Sequence, residues 1–146
     1  MIADLLRKMW KWLVFAITVA FIVFIGLLYA ASWMFNQTQQ ARMTLHEYGD
    51  ALIAKEYSKA YSLRDSELQK ALNESEFEKS HELAASQFGK LKEVILERGE
   101  KVGDQNGMTV TINSRLIYEN TEHHFAVMMK KEGDRWFVHN YRYIEK

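Results

Sequence analysis

His123 and His124 stand side by side in "TEHHFAVMMKK", and His139, Tyr141 and Tyr143 follow within "RWFVHNYRYIEK". Clustered imidazoles can ligate a metal, and an imidazole beside a phenol can move a proton. Each chemistry has a geometric condition. A metal needs its ligands on one side of the backbone, and a proton relay needs a partner that sets the pKa of the working group. Whether the condition is met depends on the elements that carry these residues.

Both stretches read as strands. "HHFAVMMKK" and "RWFVHNYRYI" are rich in aromatic and apolar residues, and the Glu-Gly-Asp between them is a hairpin signal. Neighbouring residues in a strand face opposite ways, so His123 and His124 cannot share one ion while the strand is regular. With a two- or four-residue loop, one face carries Phe125, Val127, Met129, Trp136 and Val138 and should receive the helices. The other carries His124, Ala126, Met128, Phe137, His139, Tyr141 and Tyr143. It joins aromatic bodies to polar tips, as binding surfaces do, and His124, Met128, Phe137, His139, Tyr141 and Tyr143 form the candidate interaction face. His124 and His139 are possible diagonal neighbours there, with no carboxylate beside them in either strand. No metal site is expected there, nor at His46 and Asp50, which stand at helical i,i+4 spacing.

No catalytic set is legible either. Asp50, Asp65, Asp104 and Asp134 fall in helices or turns, Glu119 at a strand end and Glu132 in a turn. There is no nucleophile elbow, phosphate loop or zinc-protease helix. Tyr48, Tyr57, Tyr61 and Tyr118 read as core tyrosines with the hydroxyl at the rim. The absence of cysteine removes disulfides, thiolate catalysis and cysteine-held zinc. No cofactor is expected.

Upstream, Leu45, Gly49, Leu52, Ile53, Tyr57, Ala60 and Tyr61 recur at helical steps and predict one amphipathic helix. Ser66 with Gln69, and Ser75 with Glu78, have capping-box spacing and predict the starts of two more, the second stopping at Gly89. "KLKEVILERG" fits a strand better than another helical turn, and "NGMTVTINSRLIYE" alternates as a strand. Helices therefore come first, and an antiparallel meander of three to four strands follows.

The segment Leu13 to Phe35 carries no charge. At roughly 1.5 Å per residue its length crosses a hydrocarbon core of about 30 Å. Trp10, Trp12, Tyr29 and Trp33 lie toward its ends, where amphipathic rings sit at the headgroups. Arg7, Lys8 and Lys11 precede it and the neutral "NQTQQ" follows, which predicts a cytoplasmic N-terminus. The run is too long for a signal peptide, and bulky Trp33, Met34 and Phe35 follow its small residues. Residues 1–12 are thus read as cytoplasmic, 13–35 as a transmembrane helix, 36–44 as a juxtamembrane linker or helix extension, and 45–146 as an exported domain. Net charge is zero overall; beyond the span and its basic flank 16 basic and 18 acidic side chains remain. No basic run favours a nucleic-acid partner.

"AKEYSKAYSL", "SELQKALN", "SEFEKSHELAASQFGKLKEV" and "KEGDRWFVHNY" together resemble the nuclear-transport-factor-two-like, or cone-shaped, fold, in particular its small bacterial exported domains. The likeness rests on Ala60-Tyr61 near the end of the first helix, on Phe88, Gly89 and Lys90 before the sheet, and on Gly133 and Trp136 at the entry to the last strand. It spans about Arg42 to Tyr143. It implies a curved sheet around helices, often with a cavity, and frequent dimerisation through the sheet. Enzymes of this fold place Asp, Tyr or His inside the cone, and this chain has no matching carboxylates on its strands. The expectation is an α+β protein with one transmembrane helix, in the inner membrane of a bacterium, its domain outside. It is expected to bind a protein partner or a second copy through the sheet face as an accessory or assembly subunit. The alternative is a small-ligand-binding or weakly catalytic interior that uses His124, His139 and Tyr141.

Overall fold

The computed structural model describes residues 2–98, 100–103 and 107–145, with side chains from residue 9 onward. Asp104, expected in a turn, and the side chains of Arg7 and Lys8 lie outside the described residues. Among the described residues four helices, α1 (Ile2–Ile53), α2 (Tyr57–Ser62), α3 (Ser66–Ala71) and α4 (Glu74–Phe88), precede five strands. These are β1 (Leu91–Leu96), β2 (Lys101–Gly103), β3 (Thr109–Tyr118), β4 (Glu122–Glu132) and β5 (Arg135–Tyr143). The protein is therefore α+β, with a long apolar N-terminal helix and an antiparallel sheet. It divides into two compact units, 1–37 and 38–146.

The described residues of the first unit lie within α1. The most apolar 18-residue window of this helix has a mean hydropathy of 2.7, and none of it is buried. Trp10, Trp12, Phe15, Phe21, Phe24, Leu27 and Tyr29 all stand exposed around the helix. In water such a surface would be costly.

The second unit packs the end of α1 and the short helices onto the sheet. The helix expected to run from Leu45 through Tyr61 is broken instead at Lys55, whose φ is +59. There Glu56 N–H donates to the Ala51 carbonyl at 2.8 Å and Lys55 N–H to Leu52 at 3.2 Å, a Schellman-type end. The expected caps Ser66 and Ser75 are displaced too. Asp65 caps α3 by accepting from Leu68 N–H at 2.9 Å. Asn73 and Glu76 form the capping box of α4.

Strands run in the order β1-β3-β4-β5, and the short β2 also pairs with β3, so β1 and β2 share one edge of it. This is one strand more than the meander expected from the sequence. The side toward the helices carries Val110, Ile112, Val127, Met129, Trp136 and Val138, all buried against Ala41 and Leu45 of α1. A second cluster joins Ala51, Leu52, Ala60 and Phe77. Each large side chain so enclosed contributes about 1.5–3 kcal/mol.

The β4–β5 hairpin turns through Gly133 and Asp134, with Glu132 opposite Arg135. Gly133 has φ +60, as the first position of a tight two-residue loop requires. The alternation expected from that loop holds as far as Val138, opposite Met129. Asn140 then stands opposite Met128, and His139 is left as the extra residue of a β-bulge. Beside it the edge of β5 is covered by the chain at Leu63–Asp65. Val138 N–H donates to Leu63, and Asp65 N–H donates to Val138, each at 2.9 Å.

Candidate functional site

The bulge divides the expected interaction face. His124, Met128 and Phe137 remain on the side away from the helices, at register positions shared with Arg115, Thr111 and Lys130. Tyr141 and Tyr143 are turned to the other side, opposite Val127 and Phe125. Phe125 meets both rings nearly edge-on, at 6.2 and 5.6 Å. His124 and His139 are not diagonal neighbours. His124 lies four residues along β4 from the bulge, or about 13 Å.

Nor are these histidines without carboxylates. His124 Nε2 lies 2.9 Å from Glu122, and His139 Nδ1 bonds directly to Asp65. His123 faces opposite to His124, as alternation requires, and sits among the rings of Phe88, Tyr118 and Tyr143. His46 and Asp50 form an exposed pair at 3.0 Å.

Asp65, Glu67 and His139 bring three potential metal ligands within 4.8 Å of one another. The direct bond between Asp65 Oδ2 and His139 Nδ1 leaves no space for an ion between them, and Asp65 Oδ1 accepts the cap bond from Leu68. This cluster joins α3 to the bulge.

The turn at the bulge brings Tyr141 to a cavity of about 170 Å³ between α1, α4 and the sheet. Leu52, Ala84, Leu116, Phe125, Val127 and Val138 supply its apolar wall, and Tyr48, Ser80, His81, Tyr118 and Tyr141 its polar groups. Tyr48 comes from α1, and Ser80 and His81 from the turn of α4 that follows Phe77. The mostly apolar surroundings shift the titrations. Burial, reinforced by the charge of Arg64, lowers the His81 imidazole from 6.5 to about 4. Burial raises the Tyr48 phenol, and it also raises Tyr118, with Tyr57 adding to the second effect. At neutral pH the cavity therefore presents a neutral imidazole and intact hydroxyls.

Arg64 lies in the connection between α2 and α3. Its residue is 2% exposed, and its backbone is bridged to Val138. The guanidinium carbon lies 4.8 Å from the centre of the Phe77 ring and 5.6 Å from that of Tyr61. Phe77 in turn meets His81 edge-on at 4.5 Å. Arg64 Nε and Nη1 are buried without a hydrogen-bond partner among the described residues. An arginine does not deprotonate in such a place, and a buried charge left uncompensated costs several kcal/mol.

The sequence gives little sign of this site. Tyr48 and Tyr118 look like ordinary core tyrosines, and His81 is one polar residue on the face of a short helix. Only the pairing of α4 with the sheet brings them together.

No protein-family model and no curated protein matches the chain. The chain's likeness to solved structures is slight. The chain is similar to the solution structure of a SEC-C motif-containing protein from Rhodopseudomonas palustris, at 14% identity over 66% of this chain and 72% of that one, with a TM-score of 0.46. A likeness of that size carries nothing about activity.

Proposed function

We propose that this is a single-pass membrane protein, anchored by residues 13–35 with its N-terminus inside a bacterial cytoplasmic membrane. Its α+β domain lies outside, is of the nuclear-transport-factor-two-like kind, and binds a small ligand between helices and sheet. The anchor is supported by the exposed apolar surface of α1 and by Arg7, Lys8 and Lys11 on one flank only. One observation carries the binding role: between the helices and the sheet lies a half-open pocket with five polar side chains in an apolar wall, the usual chemistry of a ligand site. The displaced titrations of His81 and Tyr48 favour binding over turnover, because general acid–base work at neutral pH needs a group that titrates near it.

Ala84 lines the cavity, so Ala84→Phe fills it with a ring. In a thermal-shift screen of the full-length protein in micelles, small amphipathic compounds raise the wild-type Tm by several degrees and leave Ala84→Phe unmoved. Equal shifts in both proteins would sink the interior site.

The second reading is an accessory or assembly subunit that holds a protein partner, or a second copy, through the outer sheet face. It is favoured by His124, Met128 and Phe137 sharing that face. Beside them is an open groove of about 500 Å³ lined by Thr111, Asn113, Met128, Asn140 and Arg142. Crosslinking in the native membrane decides it, since Met128→Glu should abolish a partner crosslink that wild type forms.

A further inference from the structure

Two cations, Lys101 and Arg142, line one groove on the side of the sheet away from the helices. From their placement we infer that this groove is a second binding site, for a small dicarboxylate. The inference stands apart from the pocket between helices and sheet and goes beyond the binding role proposed above.

Strand register builds the site. Lys101 stands opposite Thr111, Thr111 opposite Met128, and Met128 opposite Asn140, so one row crosses β2, β3, β4 and β5. Asn113, Ala126 and Arg142 make the next row. Directly paired residues share a face, and both rows line the groove of about 500 Å³. That volume lies within the roughly 300–1,000 Å³ of small-molecule sites.

Charge is the first argument for the occupant. Among the described residues no carboxylate lines the groove, and neither Lys101 nor Arg142 has an ion-pair partner. The cations of the neighbouring rows are already matched. Arg115 pairs with Glu97 at 3.2 Å and Glu122 at 3.1 Å, and Lys130 with Glu67 at 3.4 Å. Glu100, next to Lys101 in the chain, pairs with Arg42. Uncompensated positive charge is thus confined to the groove. An acidic peptide laid along the strands would run on to Glu122 or Glu67, whereas a small anion meets only the two cations.

Hydrogen bonding is the second argument. Asn140 Oδ1 accepts from Tyr141 N–H at 2.8 Å, which leaves the side-chain NH₂ to donate. Lys101 and Arg142 can only donate, and the Thr111 hydroxyl is able to. Spacing is the third. Lys101 and Arg142 rise from strands three spacings apart, about 14 Å at the backbone. Two acid groups on a short body reach toward both cations across Ala126 and Met128. A phosphate monoester gathers its charge at one end instead.

The test is fluorine NMR titration of the full-length protein in nonionic micelles at low salt. The probes are 5-fluoroisophthalate with two carboxylates, 3-fluorobenzoate with one, and 3-fluorophenyl phosphate. The dicarboxylate should bind wild type saturably, about fivefold or more tighter than either other probe. Lys101 and Arg142 are exposed, so Lys101→Gln and Arg142→Gln should keep the fold and each weaken the dicarboxylate about fivefold. Ala84→Phe, which fills the interior pocket, should bind it as wild type does. Binding of 3-fluorobenzoate or of the phosphate as tight as that of the dicarboxylate would overturn the inference. So would the absence of saturable binding, binding unchanged in both glutamine variants, or binding lost in Ala84→Phe.

Discussion

His81 gives the domain a pH dependence with a definite sign. Its folded pKa is about 4, against 6.5 in the unfolded chain, so between these values the unfolded state binds more protons. The native state thus keeps its full stability above pH 6.5 and loses it as pH falls toward 4. At 1.36 kcal/mol per unit the loss approaches about 3 kcal/mol. Carboxylates titrate over the lower part of that range too, so the comparison is with His81→Phe, which keeps a ring and removes the proton site. Urea unfolding at pH 7 and pH 4.5 should show wild type losing about 2–3 kcal/mol more than the variant. An equal loss in both would mean that the imidazole is solvated in the folded protein.

At the scale of elements, two junctions shape the site: the bulge in β5 and the turn from α4 into β1. Gly89 makes the second, with φ +81 and ψ −174, a region open essentially to glycine alone. A Cβ there would also stand 2.7 Å from Glu119 Cβ. Gly89→Ala should therefore cost roughly 2–4 kcal/mol, read as a lower urea midpoint. Unchanged stability would show that the turn takes another path. Gly89 was legible because a stop signal coincided with a change of hydrophobic period. The strands β3, β4 and β5 and the Glu-Gly-Asp hairpin were legible for a similar reason, since alternation and turn chemistry are local. The bulge was not. It adds one residue for the sake of a distant contact, the bond from His139 to Asp65 beside the covered edge at Val138. That single residue moved Tyr141 and Tyr143 off the face where strict alternation put them. The helix caps failed more mildly. "RDSE" and "NESE" each offer successive capping-competent residues, and local preference does not choose between Asp65 and Ser66, or between Asn73 and Ser75.

For the whole molecule, the proposed topology places Ala3 and the α4 surface on opposite sides of a bilayer. The chain has no cysteine, so single substitutions report position without background. In cells whose outer barrier is permeabilised, an impermeant maleimide should label Glu78→Cys directly and Ala3→Cys only after the inner membrane is broken. Labelling in the reverse order would invert the orientation, and labelling of both at once would remove the anchor. The long apolar helix was the plainest signal in the sequence, because length and lack of charge need no tertiary context. The interior site was the faintest. Tyr48 and His81 come from two separate helices, and nothing in the spacing of either announces the other.

The central claim is that the space between helices and sheet holds a small molecule. It is tested most directly by native mass spectrometry of the full-length protein released from its own membrane. The account predicts one low-mass adduct per chain on wild type, absent from Ala84→Phe prepared alongside. A bare wild-type mass, under conditions that keep lipids bound to the same chain, would contradict it.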